Sequence, residues 1–401
     1  MSSRKVDPRI SDVRAYVIDS KGVGGDYHDR ADGHWLVDGA ISTPMSLYAD
    51  YRRSRTSWGI AVLGSILVEI ELEDRTVGIA TGLGGEPACF LIEKHFKRFL
   101  VGSDCRDINR LWDQMYRASL PYGRKGLAPA AISVVDLALW DVVGKLRGEP
   151  VFNLIGGRVR DEIPAYMTGI RPDVARELGF WGAKVPLPIS PAAGPEGMVR
   201  NVEALAEYRS MAGQDFPLMV DCYMSLDVPY AVELAARCRS KGVDVHWFEE
   251  CLNPDDVDGH RLLKERAPLE RWTTGEHEYT RYGFRELLRH RAVDILQPDV
   301  MWVGGLTELL RVSAMAAAYD VPVVPHGSGN YSYHFVVSQP HSPFVEYLNS
   351  SPGSDEVSPV FGGLFVDEAI PVNGKVRVSD APGFGLELDR RAANLIRPYE
   401  A

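Results

Sequence analysis

Six ionisable residues in the second half of the chain each stand at or near the end of a short apolar run. They are Asp221, Glu249, Glu276, Asp299, His326 and Glu346. The intervals between them are 28, 27, 23, 27 and 20 residues, and each interval fits one strand followed by one helix. In a parallel β/α architecture such residues meet at the carboxyl ends of the strands, where enzymes of this architecture carry out their chemistry.

The first three of these residues are carboxylic acids on successive runs. Three carboxylates that face one another cannot all remain ionised without a cation between them. A ligand set made only of oxygen favours Mg²⁺, with Mn²⁺ as a substitute, over zinc. Any one of these acids alone is more typical of a helix cap or a surface ion pair. The regular spacing of Asp221, Glu249 and Glu276 on consecutive runs favours a metal site.

The next two residues, Asp299 and His326, predict a general base. A carboxylate beside an imidazole fixes its tautomer and raises its basicity. The alternative for His326 is a histidine packed in a loop. Glu346, on the last run, can donate or accept a hydrogen bond across the pocket, and its alternative is an exposed acid at the sheet edge.

Four further residues lie beside these positions in the sequence or on neighbouring runs. Lys184, in GAKVPLP, can contact substrate or support the metal site, while Pro186 on the same face has no proton chemistry. Glu250 follows Glu249, so in a continuous strand it points the opposite way, which indicates a structural role. His277, next to Glu276, is a secondary candidate at the rim.

The elements that position these residues are eight short runs that alternate with helical patterns. This alternation predicts parallel strands with right-handed crossovers, and eight units predict a (β/α)₈-type barrel in modified form. An open doubly wound sheet is the alternative, but no glycine-rich phosphate loop follows the early strands. The runs are Ile163–Thr168, Trp181–Leu187, Pro217–Cys222, Val245–Glu250, Trp272–Glu276, Val293–Asp299, Val321–His326 and Phe344–Leu348.

The first part of the chain has a different pattern, with strands first and helices second. Strands are predicted at Val13–Ile18, Val62–Leu72 and Val77–Thr81, and helices at about 87–100, 106–119 and 129–147. We therefore expect an α+β domain over residues 1–150 and the barrel over 151–354. The Pro- and Gly-rich tail, 355–401, is expected to return and pack on the first domain.

Composition excludes several classes of protein. The 44 Lys and Arg against 55 Asp and Glu give a net charge of −11, which argues against nucleic acid or an anionic membrane as a partner. The five cysteines are odd in number and lack CxxC spacing, so we expect no disulfide framework and a reducing, cytoplasmic location. The polar start of the chain does not resemble a signal peptide. The uncharged stretch Val321–Val345 holds four prolines, so it is not a membrane span.

Several of these segments resemble a known family. The segments MVDCYMSLDVP, WFEECL, TTGEH, LQPDVMWVGG and PHGS, with SVVDLALWDVVGK followed by LIGG, resemble the mandelate racemase subgroup of the enolase superfamily. Within it, GGDYHDR, TPMSLYADYRRSRTSWGIAVLG, GFWGAKVP and PGFGLELDR are similar to the L-rhamnonate dehydratases. The likeness extends over nearly the full chain.

This resemblance implies roles for individual residues. It implies that Asp221, Glu249 and Glu276 bind Mg²⁺, that His326 and Asp299 form the base and its partner, and that Glu346 stabilises an intermediate. It also implies that His28 and Arg55, from the capping domain, contact the substrate, and that the protein is a homo-oligomer such as an octamer. The implied reaction begins with removal of the proton α to a carboxylate, and the resulting enediolate needs a cation.

One departure from the subgroup bears on the reaction. Racemases of this subgroup have a second lysine two residues after the first, and here that position is Pro186. One base suffices for a syn dehydration, in which His326 removes the C2 proton and then protonates the departing 3-hydroxyl. The single base favours a dehydratase, and the resemblance implies that it is an acid-sugar dehydratase that converts L-rhamnonate to 2-keto-3-deoxy-L-rhamnonate. The alternatives are a related aldonate such as L-lyxonate or L-mannonate, a racemase or epimerase, and a non-catalytic sugar-acid binding protein.

Overall fold

The computed structural model describes residues 7–18, 34–52, 60–391 and 393–400. Its N-terminal part begins with an antiparallel meander of β1 (Ile10–Ile18), β2 (Ser65–Leu72) and β3 (Val77–Leu83). The second strand starts three residues later than predicted because Gly64 has a φ of +89° and Ile60–Leu63 forms a 3₁₀ turn. The helices are α1 (Trp35–Asp38), α2 (Gly85–Phe90), α3 (Lys97–Leu100), α4 (Ile108–Ser119) and α5 (Leu127–Arg147).

The long helix α5 is the core of the N-terminal part and its link to the rest. Gly78 and Gly82 on β3 let it approach the sheet closely, since a Cβ at Gly82 would lie 2.3 Å from a methyl of Val134. By length and composition α5 could cross a membrane, but 89% of its most apolar stretch is buried inside the protein. Its hydropathy therefore reflects its place in the core.

The second part is a parallel sheet of short strands with helices between them, which confirms the predicted barrel class. The strands are β4 (Ile163–Thr168), β5 (Gly182–Pro186), β6 (Leu218–Asp221), β7 (Phe248–Glu249), β8 (Trp272–Thr274), β9 (Ile295–Leu296) and β10 (Val345–Leu348). The helices are α6 (Val151–Leu154), α7 (Pro172–Glu177), α8 (Gly194–Ala212), α9 (Val228–Ser240), α10 (Val257–Arg266), α11 (Thr280–Arg289), α12 (Gly305–Ala318) and α13 (Gly329–Ser338).

The strands lie in the order β10-β4-β5-β6-β7-β8-β9, so the last strand pairs with the first. The predicted run Val321–His326 is not a full strand. Within the described residues, its ladder contact is a single parallel bridge from Val323 to Leu296. Pro322 and Pro325 lack backbone N–H groups, so this run cannot form a continuous ladder.

The C-terminal tail contacts both parts. Its strand β11 (Lys375–Val376) pairs with β4 of the barrel, and β12 (Leu395–Ile396) pairs with β1 of the first sheet. Arg397 also pairs with Glu93 at 2.8 Å. We propose the division into a capping domain of residues 1–150 with the tail 355–401, and a barrel of residues 151–354, on the basis of the pairing of β12 with β1, while β11 joins the same tail to the barrel.

Candidate active site

Three buried carboxylates converge at the carboxyl ends of adjacent strands. Asp221 ends β6, Glu249 ends β7, and Glu276 follows β8 after Gly275. One carboxylate oxygen from each lies within 4.8 Å of the others. The structure thus brings together the three acids that the spacing predicted as a metal site.

The chemistry of these three acids fits a divalent cation. The Oε2 atom of Glu276 is buried and accepts no hydrogen bond from any described residue. Burial raises the pKa of Glu276 well above its usual range, raises that of Asp221, and raises that of Glu249 to about 7. The negative charges of Glu250 and Asp221 further raise the pKa of Glu276, and that of Asp221 further raises the pKa of Glu249. A bound cation relieves this repulsion. Because all the donors are oxygen atoms, the site suits Mg²⁺.

A second group of Glu250, Glu276 and His277 has equally close atoms, but it is a poorer metal site. His277 Nδ1 lies 2.9 Å from Glu250 Oε2. Burial alone would lower the pKa of His277, but the charge and hydrogen bond of Glu250 raise it to about 9. A protonated imidazole has no lone pair for a metal, so His277 acts as a hydrogen-bond donor.

Lys184 is completely buried beneath the acids. Its ammonium group forms a short hydrogen bond to Glu249, lies 2.9 Å from Glu346 Oε1, and lies 3.7 Å from Asp221 Oδ2. Burial alone would lower its pKa, but the carboxylates of Glu249 and Glu346 outweigh that effect and raise the pKa well above its usual range. Lys184 therefore positions the acids and balances part of their charge.

Two residues that the sequence did not single out also hold Glu249. Trp247 Nε1 donates to Glu249 Oε2 at 3.1 Å, and Gln297 Nε2 donates to the same oxygen at 2.6 Å. Both signals are present in the sequence, since Trp247 precedes Glu249 by two residues and Gln297 precedes Asp299 by two. Residues two apart on a strand share a face.

The predicted dyad of Asp299 and His326 is formed. His326 Nδ1 lies 2.7 Å from Asp299 Oδ2, and its Nε2 lies 3.5 Å from Glu276 Oε2. Burial alone would lower the pKa of His326, but Glu276, Glu346 and Asp299 together raise it well above its usual range. These carboxylates thus favour the protonated imidazole, whose Nδ1 faces Asp299 and whose Nε2 faces Glu276.

Glu346, on β10, closes the site from the side of the first barrel strand. It accepts hydrogen bonds from Gly327 N at 2.9 Å, from the Thr168 hydroxyl, and from Lys184. Burial alone would raise its pKa, but Lys184 and His326 lower it to about 2. Glu346 is therefore an anion that accepts hydrogen bonds in this structure, and Thr168 is a partner that the sequence analysis missed.

The expectation that Glu250 points away from the site is wrong. It assumed that the strand continues, but β7 ends at Glu249 and Glu250 has a φ of +43°. This turn directs the Glu250 carboxylate to His277, and Trp302 lies between His277 and His326 at ring-centroid distances of 5.3 and 5.4 Å.

Of the remaining residues that the sequence analysis named, Pro186 lies beside the acids, and His28 and Arg55 fall outside the described part of the chain. Pro186 ends β5 and pairs in register with Asp221, so the position beside that acid carries no proton donor or acceptor on its side chain. His28 and Arg55, predicted to contact the substrate, lie outside the described residues.

Comparison with solved structures finds close relatives of the whole chain. Rhamnonate dehydratase from Gibberella zeae, solved in complex with Mg, is 57% identical with a TM-score of 0.93, over 98% of this chain and 97% of that one. The 3,6-anhydro-D-galactonate cycloisomerase from Zobellia galactanivorans is 27% identical with a TM-score of 0.76, over 96% and 99% of the two chains.

A third structure shares the fold at lower identity. L-Talarate/galactarate dehydratase from Salmonella typhimurium LT2 is 24% identical with a TM-score of 0.76, over 98% of this chain and 94% of that one. Two family models match in tandem. The mandelate racemase / muconate lactonizing enzyme N-terminal domain matches residues 54–156, and the enolase C-terminal domain-like model matches residues 173–392. The chain therefore belongs to the mandelate racemase / muconate lactonizing enzyme family of the enolase superfamily.

Proposed function

We propose that this protein is a magnesium-dependent L-rhamnonate dehydratase. The protein is a hydro-lyase of the enolase superfamily that uses Mg²⁺, and the proposal concerns its substrate and its residues. The identity of 57% over nearly the whole length of the Gibberella zeae enzyme supports the choice of substrate. The observation that carries the reaction type is the histidine base of the dyad, whose Nε2 lies 3.5 Å from the Glu276 carboxylate.

The proposed ligands of Mg²⁺ are Asp221, Glu249 and Glu276, the three acids with oxygen atoms within 4.8 Å of one another. When bound, the ion supplies Lewis-acid stabilisation of the negative charge that develops on the substrate carboxylate. Lys184 keeps Glu249 in place through its short hydrogen bond, and Trp247 and Gln297 fix the other oxygen of the same carboxylate.

His326 is the proposed proton carrier. A cation bound by the three acids would balance the charge of Glu276, one of the carboxylates that raise the pKa of His326. The neutral imidazole would then keep its Nδ1 proton toward Asp299 at 2.7 Å and would accept the proton from C2 of the substrate at Nε2. The resulting imidazolium then protonates the 3-hydroxyl, which leaves as water. Since one nitrogen performs both transfers, the proton and the hydroxyl leave from the same face, and the elimination is syn.

The other polar residues of the site are proposed to bind the substrate. His277, kept protonated by Glu250, donates a hydrogen bond to a substrate hydroxyl. Lys184 and Glu346 form a paired charge beneath the substrate carboxylate, and His28 and Arg55 are proposed to close the pocket from the capping domain. Pro186, in register with Asp221, supports dehydration over racemisation because it leaves no base on that side chain.

The test is a screen of aldonic acids with Mg²⁺, scored by formation of a 2-keto acid, with EDTA as the control. The proposal predicts turnover of L-rhamnonate that EDTA abolishes and that His326→Asn reduces by several orders of magnitude. Turnover of L-lyxonate or L-mannonate with higher kcat/KM would keep the reaction and change the substrate. Normal turnover by His326→Asn would contradict the mechanism.

If no acid is dehydrated, exchange of the C2 proton in D₂O separates the alternatives. Exchange without loss of water indicates a racemase or epimerase, and metal-dependent binding without exchange indicates a binding protein. A cytoplasmic location and a homo-oligomer such as an octamer remain predictions, which fractionation and light scattering would check.

A further inference from the structure

The turn that follows the histidine base has an unusual backbone. Gly327, Ser328 and Gly329 all have positive φ, at +37°, +65° and +49°. Glycine adopts this left-handed region without strain, whereas a residue with a Cβ does not. Ser328 is therefore the strained member of the turn. A glycine at this position would avoid the strain but would lack the serine hydroxyl.

The usual reason for serine at this position does not apply. Ser328 stands at the N-terminus of α13, where a serine commonly caps the helix. Within the described residues, however, its side chain makes no capping hydrogen bond. Its Oγ instead donates to Asp299 Oδ1 at 2.8 Å, and the residue is only 4% exposed.

This hydrogen bond fixes the orientation of the dyad carboxylate. Asp299 Oδ1 accepts from Ser328 Oγ at 2.8 Å and from Met301 N at 2.7 Å, which leaves Oδ2 to face His326 Nδ1 at 2.7 Å. The same turn also holds Glu346 through Gly327 N. Backbone strain kept at such a place points to a role in the site.

We infer that Ser328 is a positioning residue, whose hydroxyl orients the Asp299 carboxylate so that His326 presents Nε2 to the substrate. The inference rests on the proposed function, because it concerns the base of that reaction. In this role Ser328 itself contacts neither substrate nor metal. Its effect is transmitted through Asp299 and is expected in kcat rather than in KM.

The experiment compares Ser328→Ala with Ser328→Gly. Both remove the hydroxyl, but glycine relieves the backbone strain and alanine retains it. Ser332→Ala on the same helix is the matched control, since the Ser332 hydroxyl is buried and has no hydrogen-bond partner in the part of the chain that the structure describes.

Both Ser328 variants are expected to lose kcat by about 10- to 100-fold, as is typical when the residue that orients a site group is removed. KM is expected to change by less than about threefold. Ser328→Gly is expected to melt at a higher temperature than Ser328→Ala, and Ser332→Ala is expected to retain wild-type kcat. A purely structural role predicts instead that activity follows melting temperature, so wild-type kcat in Ser328→Gly would overturn the inference.

A second measurement needs no substrate. The proton on His326 Nδ1, observed by NMR in histidine-labelled protein and assigned by its absence in His326→Asn, reports the hydrogen bond to Asp299. We expect its resonance to move upfield or to broaden through exchange in both Ser328 variants, and an unchanged resonance would contradict the inference. If wild-type protein turned over no aldonic acid, the proposed function would fail while this resonance still tested Ser328.

Discussion

The substitution Asp299→Asn tests whether the Asp299 carboxylate sets the tautomer of His326, the proposed base. In asparagine one of the two carboxylate oxygens is replaced by an NH₂ group. The amide can therefore accept hydrogen bonds at only one of the two positions that Asp299 now uses. Oδ1 accepts from two donors, Met301 N at 2.7 Å and Ser328 Oγ at 2.8 Å. The amide oxygen is expected to keep this position, and the NH₂ group then faces His326.

The size of the effect follows from this orientation. Turning the amide over would place its NH₂ group against two donors, at about 1–3 kcal/mol for each unsatisfied buried group. With the NH₂ group facing it, His326 must accept at Nδ1 and carry its proton on Nε2, where it cannot act as a base. In serine proteases the same change, in the aspartate that orients the catalytic histidine, costs about 10⁴ in kcat, which corresponds to about 5.5 kcal/mol.

The assay is 2-keto acid formation from L-rhamnonate with saturating Mg²⁺, together with the melting temperature. We expect kcat to fall by about 10⁴, with KM and Mg²⁺ dependence close to wild type. Asp256→Asn is the matched control, because Asp256 caps α10 by accepting from Gly259 N at 2.8 Å and asparagine caps equally well. A folded, metal-bound Asp299→Asn enzyme that retained a tenth of the wild-type kcat would refute this role of Asp299.

Three further outcomes are expected. Glu276→Gln should raise the Mg²⁺ concentration for half-maximal activity by more than about tenfold. In EDTA it should melt no lower than wild type, since it removes a buried carboxylate whose Oε2 accepts no hydrogen bond from the described residues. A large loss of stability in EDTA would contradict this. Asp136→Ala should lower the free energy of unfolding by about 2–4 kcal/mol in denaturant titrations, because Asp136 on α5 accepts from Thr307 N and Oγ1 at 2.9 and 2.6 Å, while the isosteric Asp136→Asn should lose less. Burial raises the pKa of Asp136 from 3.8 to about 7, so between these values the folded chain retains a proton that the unfolded chain releases. The stability of the wild-type protein should therefore fall as pH rises from about 4 to 7. An unchanged pH profile in Asp136→Asn would refute the assignment of this pH dependence to Asp136.

The spacing of ionisable residues predicted which side chains meet, because it depends only on the repeat of the fold. Each strand-helix unit returns the chain to the same face, so Asp221, Glu249 and Glu276 converge whatever the details of the helices. The same regularity placed Asp299, which follows β9, and Glu346, which lies on β10. It could not place His28 and Arg55 by geometry, since their roles came from the resemblance to the family alone.

Errors arose where the chain departs from ideal strand geometry. The run before His326 contains Pro322 and Pro325, and it forms a single bridge to Leu296 within the described residues. The sequence already contained this signal, because proline cannot donate to a ladder. The prediction of a full strand at Val321–His326 relied on the eightfold repeat and did not take the two prolines into account.

The direction of Glu250 and the role of Ser328 depend on backbone angles that follow a strand end. At Glu250 the φ of +43° turns the side chain to His277, and at Ser328 the φ of +65° turns the hydroxyl to Asp299. Glu250 has no glycine beside it to mark the left-handed conformation, and strand alternation predicts the wrong direction for its side chain. Ser328 lies between Gly327 and Gly329, which mark a turn but do not show where the serine hydroxyl points. Ser328 donates to the dyad aspartate, and Glu250 contacts His277, which is proposed to bind the substrate, so each hydrogen bond offsets the strain at its residue. The residues hardest to predict from sequence are therefore those that orient the proposed catalytic groups, and the proposed metal ligands and base are the easiest.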